Sequence, residues 1–131
     1  MTTNLNQEVS DVRLGVRWIK ALRSGRYKQT RLGLRDECDR PGFCCLGVLC
    51  SVSRLGKWRG VSYDLNDNEI CFGSLSGYLH DALERIEGVH FQSTLIGMND
   101  ARNLGFLEIA NEIEKRLVAF AKKHKVKINV K

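Results

Sequence analysis

Apolar residues recur along this chain at two different periods, and each period predicts its own element. Val9, Val12, Val16, Ile19 and Leu22 stand three or four residues apart, the stripe of an amphipathic helix. Arg13, Arg17 and Lys20 share another face of that helix, and Gly25 supplies its stop. A longer stripe, Phe106, Ile109, Ala110, Ile113, Leu117, Phe120 and Ala121, predicts a second helix starting as early as Asn103, with Lys122, Lys123 and His124 at its cation-favouring end. Ser74 followed by Leu75, Leu79, Ala82, Leu83 and Ile86 predicts a third, capped by that serine and ending before Gly88.

Between these helices the period shortens to two. Val61, Tyr63 and Leu65 alternate with polar residues, as do Ile70 and Phe72, and Asn66-Asp67-Asn68 is turn chemistry, so a β-hairpin is expected. Tyr27 to Arg35 reads as extended and gives way to a polar loop from Asp36 to Gly42, with Pro41-Gly42 marking the turn. The apolar run Phe43 to Cys50 is expected to be a short strand running into a helix. The tail from Lys125 to Lys131 alternates lysine with valine and isoleucine, the pattern of a lysine-rich edge strand. Asn99-Asp100 reads as a cap or loop lock ahead of the strongest helix. With no linker or repeat in 131 residues, the expected architecture is α+β, a single domain over residues 1–131 with about three main helices packed on a small antiparallel sheet.

Composition removes several classes. At 43% hydrophobic and 27% charged the chain is an ordinary globular sequence. Phe43 to Cys50, its longest apolar stretch, falls far short of the roughly 20 residues that cross a bilayer. The polar start Met1 to Leu5 lacks a secretory pattern, so no membrane partner and a cytoplasmic location are expected.

The net charge of +6 is unevenly spread. Twelve cations face five carboxylates over residues 1–60, two face eight over 61–110, and seven face two over 111–131. Such a chain can fold into a molecule with one cationic side for phosphates, or can simply carry a segregated solvated surface.

Candidate chemistry is sparse. Cys38, Cys44, Cys45, Cys50 and Cys71 lack paired zinc spacing, and His80, His90 and His124 complete no ligand set, so no metal and no cofactor are expected. Cys44 or Cys45 could be activated by a helix N-terminus, although buried thiols are the commoner role. Nucleophile-elbow, zincin and phosphate-loop signatures are missing, so no catalytic residue is named and the chain is expected not to be an enzyme. Asp36-Glu37 and Asp64, Asp67 and Glu69 sit where turns need acidic residues. The richest stretch interleaves Lys28, Gln29, Arg31 and Arg35 with Tyr27, a combination that can hold phosphate and stack a base. Trp58 between Lys57 and Arg59 is a smaller cluster of the same kind.

The blocks Trp18 to Gln29, Leu34-Arg35 and Phe43-Cys-Cys-Leu-Gly-Val-Leu-Cys50, with Leu95 to Asp100 and Phe106 to Glu114, resemble a family of small uncharacterised bacteriophage and prophage proteins. Two departures stand out: Ser51 follows Cys50 where an acidic residue is expected, and Met98 stands where leucine is usual. The resemblance implies a phage accessory protein acting in the host cytoplasm, and no particular activity. Three functions follow as expectations. The first is non-enzymatic capture of a phosphorylated or nucleotide-derived ligand, such as a host immune signal, by Tyr27, Lys28, Gln29, Arg31, Arg35, Asn99 and Asp100, with a homo-oligomer interface as one place for them to converge. The second is nucleic-acid binding by Arg13, Arg17, Lys20 and the lysine-rich tail. The third is inhibition of a host protein through the acidic stretch from Asp64 to Glu87.

Overall fold

The computed structural model describes residues 5–31, 33–37, 41–66, 69–72, 74–88, 90–102 and 104–130. Helix α1 (Leu5–Arg23) leads into three two-residue strands, β1 (Lys28–Gln29), β2 (Arg35–Asp36) and β3 (Gly42–Phe43). Then come α2 (Cys45–Ser53), the strands β4 (Lys57–Arg59), β5 (Ser62–Asn66) and β6 (Glu69–Cys71), and the helices α3 (Gly77–Glu87), α4 (Phe91–Asp100) and α5 (Phe106–Lys123). The architecture is α+β, as the two periods require. Its strands form two small sheets: β3 lies between a parallel β1 and an antiparallel β2, while β4, β5 and β6 form an antiparallel meander with Tyr63 opposite both Trp58 and Cys71.

The centre of the molecule is α2, whose residues from Cys45 to Cys50 are all buried. An all-apolar helix needs neighbours on every side, and small residues let them come close. A β-carbon on Gly47 would lie 1.9 Å from the Leu34 carbonyl oxygen, so only glycine fits where α2 crosses that segment. The same logic joins α1 to α5, where a β-carbon on Gly15 would lie 2.6 Å from the Leu117 side chain. Trp18 is buried against α2 and donates its indole N–H to the Cys45 carbonyl at 2.8 Å. The Cys-Cys-Leu-Gly-Val-Leu-Cys string is therefore packing in this fold. Cys44 caps α2, its sulfur accepting from the Gly47 N–H.

Several expectations change in the structure. Helix α4 was not expected; its apolar residues Phe91, Leu95 and Met98 sit at helical spacing, and Asn99 belongs to its last turn instead of capping α5. Helix α3 starts at Gly77 after Ser76, two residues beyond the predicted serine cap. The tail over 125–130 is no strand: Val126, Ile128 and Val130 pack on the core and no ladder forms, so the alternation is satisfied by one-sided burial alone. The hairpin forms as expected, although Asp67 and Asn68 of its turn lie outside the described residues. It buries Tyr63 and Cys71 and leaves Ile70 and Phe72 exposed.

Candidate functional site

Two polar clusters emerge from the residues the sequence singles out, and they differ in kind. The first surrounds Asn99, which is fully buried. Its Nδ2 donates to the Thr30 carbonyl at 2.8 Å and to Asp100 Oδ1 at 2.9 Å, while its Oδ1 accepts from Gln29 Nε2 at 2.9 Å and from the Cys45 N–H at 3.3 Å. Gln29 Nε2 also donates to the Leu104 carbonyl at 2.7 Å. One side chain thus ties the β1 segment, the start of α2 and the end of α4 together, and its hydrogen-bonding capacity is used within the protein. The structure does bring Gln29, Asn99 and Asp100 together, as a structural junction.

Arg31 and Arg35 line the adjoining groove of about 570 Å³, which shares Thr30 and Asp100 with that junction and also holds Asp36, Val61 and Phe72. Its lining thus carries two carboxylates as well as two guanidiniums. Arg35 is further engaged, lying 5.4 Å from the Trp58 ring centre and 5.9 Å from that of Phe43 and donating to the Gly60 carbonyl at 3.0 Å. It fastens the two sheets to one another. Lys28 is exposed on β1.

The second cluster is a pocket of about 430 Å³ where the last turns of α1 and α2 meet the loop after α1. Gly25, at φ +78°, turns the chain, and Ser24 fixes the turn by donating to the Ala21 carbonyl and accepting from the Arg26 N–H. Arg26 and Tyr27 are thereby returned alongside Arg17 and Lys20. From the other side comes Arg54, the C-cap of α2, held in the left-handed conformation at φ 57°. Tyr27 is set by an edge-on contact with Phe43, centroids 5.3 Å apart, the first step of a row running through Trp58 to Tyr63. The lining contains four cations, an aromatic ring and two serines, and no carboxylate.

Ion pairing sharpens the contrast. Arg23, Arg59, Arg85 and Arg116 each hold a carboxylate, the last pairing with both Glu112 and Glu87. Among the described residues Arg17, Lys20, Arg26 and Arg54 form no ion pair, and neither does Arg13 on the same face of α1.

Residues 10–69 match DUF8296, a domain of unknown function. That span, just under half of the chain, includes every residue lining the cationic pocket and excludes Asn99 and Asp100. No curated protein and no solved structure matches the chain.

The four described thiols are buried and not presented for chemistry, and Cys38 lies outside the described residues. Burial pushes Cys44 and Cys45 up, outweighing the favourable N–H groups at the start of α2. Cys71 is lowered to about 6 by hydrogen bonds from Cys50 and from Ser76, and Cys50, the donor, is pushed up, but both side chains are fully buried. His80, Asp81 and Glu84 cluster on the surface of α3, where the two ring nitrogens of His80 already face Asp81 at 3.2 Å and Glu84 at 3.8 Å. Among the described residues no helix is long and apolar enough to cross a membrane. Arg54 escaped the sequence reading, because nothing in Ser53-Arg54-Leu55 signals that the end of α2 abuts the end of α1.

Proposed function

We propose that this chain is a non-enzymatic binding protein that captures a phosphorylated ligand of about nucleotide size in the pocket between α1 and α2. The observation that carries the reading is the convergence of Arg17, Lys20, Arg26 and Arg54 beside Tyr27 with no carboxylate among the lining residues. Guanidinium groups form the strongest hydrogen bonds to phosphate oxygens, and a tyrosine ring offers a face for a base. The volume of about 430 Å³ falls within the range of small-molecule sites. Relative to the sequence expectation, Tyr27 stays in the site, Arg17 and Lys20 enter it, and Arg26 and Arg54 are added. A phage or prophage setting is supported by the resemblance of the α1, α2 and α4–α5 motifs. In the host cytoplasm, capture would withhold a nucleotide-derived signal from the defence that reads it.

Native mass spectrometry of the purified chain, with a panel of nucleotides and cyclic or NAD-derived compounds, tests this. A discrete added mass per protomer that survives moderate salt and disappears in the Arg26→Ala/Arg54→Ala variant is the expected result. Bare protein across the whole panel overturns the proposal.

A further inference from the structure

The pocket does not stand alone. Arg17 also lines a second groove of about 300 Å³, between α1 and the C-terminal tail, where Arg13 and Lys127 flank an apolar floor of Val12, Val16 and Ile128. Arg54 in turn lines a third, of about 510 Å³, together with Lys57, Arg59, Leu55 and Ile70. Shared arginines thus join three concavities in series. Within the α1 part, Arg13, Arg17 and Lys20 sit at successive turns of one face and span about 10 Å. Asp64 is the one carboxylate lining the three grooves, and Arg59 pairs with it at 2.9 Å. The other seven cations form no ion pair among the described residues.

A free nucleotide needs one such pocket, and it leaves the flanking grooves and their cations without a purpose. Regularly spaced cations alternating with apolar and aromatic surface suit a ligand that itself alternates phosphate with flat, stackable bases. We infer that the ligand of this site is a single-stranded nucleic acid, its backbone running from the tail groove past Arg17 through the central pocket and past Arg54 onto the β4–β5 face. The inference rests on the phosphate-binding reading of the central pocket and names the ligand class for it. A single strand is chosen over a duplex because the cations line concave grooves, which admit one chain with its bases turned against Tyr27 and the apolar floor.

The test compares a fluorescent 12-nucleotide oligothymidylate with ADP. Anisotropy at low salt is expected to show the strand binding at least about tenfold tighter than ADP does by calorimetry. Engaging about five phosphates, its log Kd should rise against log salt with a slope of about 3.5. The variants Arg13→Glu and Lys57→Glu, at opposite ends of the track and outside the central pocket, should each weaken the strand at least about fivefold and shift the ADP affinity less than about twofold. Both positions are exposed, and circular dichroism confirms that each variant is folded. ADP binding as tightly as the strand, end variants without effect on the strand, or equal affinity for a 12-base-pair duplex each overturns the inference while the pocket reading stands. If ADP does not bind at low salt, the pocket reading falls, and with it the inference that rests on it.

Discussion

The Asn99 junction and the cationic pocket are built from similar residue types and behave oppositely. At Asn99 the amide's donors and acceptor all find partners inside the protein, and the side chain is fully buried. At the pocket the cations converge with no carboxylate beside them, and the result is open. Burying a polar group is tolerated when it is satisfied, and gathering like charges is unfavourable unless something else answers them. Convergence with internal partners therefore marks structure, and convergence without them marks a place for a ligand. The same distinction separates Arg85, bidentate on the fully buried Asp11 at 2.8 and 3.0 Å, from Arg26 and Arg54, which form no ion pair among the described residues.

The largest expected effect lies on the closed side. Replacing Arg85 with alanine strands the Asp11 carboxylate, which then keeps only Gln7 at 3.1 Å, and should cost about 3–5 kcal/mol in urea unfolding. Asn99→Ala leaves the Cys45 N–H and the Thr30 carbonyl without their partner and should cost about 2–4 kcal/mol by the same measurement, with ligand affinity preserved in the fraction that folds. A loss below about 1 kcal/mol would break the claim that the junction is structural.

On the open side the signs reverse. Arg54 occupies a left-handed position that glycine adopts without strain, so Arg54→Gly should stabilise the fold by about 1 kcal/mol while weakening ADP about tenfold. A residue kept there only for structure would not show that trade. Arg26→Ala should change stability by less than about 0.5 kcal/mol and weaken ADP by a similar factor.

The smallest expected effect returns to the paired cations. Arg116 holds Glu112 below its ordinary carboxylate value, so that pair contributes stability above the unfolded pKa and loses it as pH falls through the lower folded value. Because the pair lies half-buried at the surface, where water screens it, the loss between pH 5 and pH 3 should be a few tenths of a kcal/mol. It should be absent in Glu112→Gln, read as the difference between the two pH–stability curves.

What the chain betrays of this fold follows its periodicity. The α1 and α5 stripes are long enough to set helix, face and approximate ends, and the 61–72 alternation gives its hairpin. Helix α4 is hidden because Ser93, Thr94 and Gly97 dilute a stripe of only three buried apolar side chains, Phe91, Leu95 and Met98. The tail misleads because alternation reports one-sided burial, which a packed coil satisfies as well as a strand. For the site, sequence proximity groups Tyr27 to Arg35 as one cluster, yet a short strand alternates its side chains and sends Gln29 into the interior while Lys28 faces solvent. The pocket instead gathers residues from α1, the loop after it and the end of α2, and that neighbourhood comes from the burial of α2 against α1 through Trp18 and Cys45.

The most direct test of the central claim is calorimetric titration of ADP into the wild-type chain and into Arg54→Gly at low salt, with thermal unfolding of both. Saturable one-to-one binding that weakens about tenfold in the variant, together with a raised Tm, is the predicted result. No binding to the wild type, or equal binding to both, would contradict the assignment of the pocket as a phosphate site.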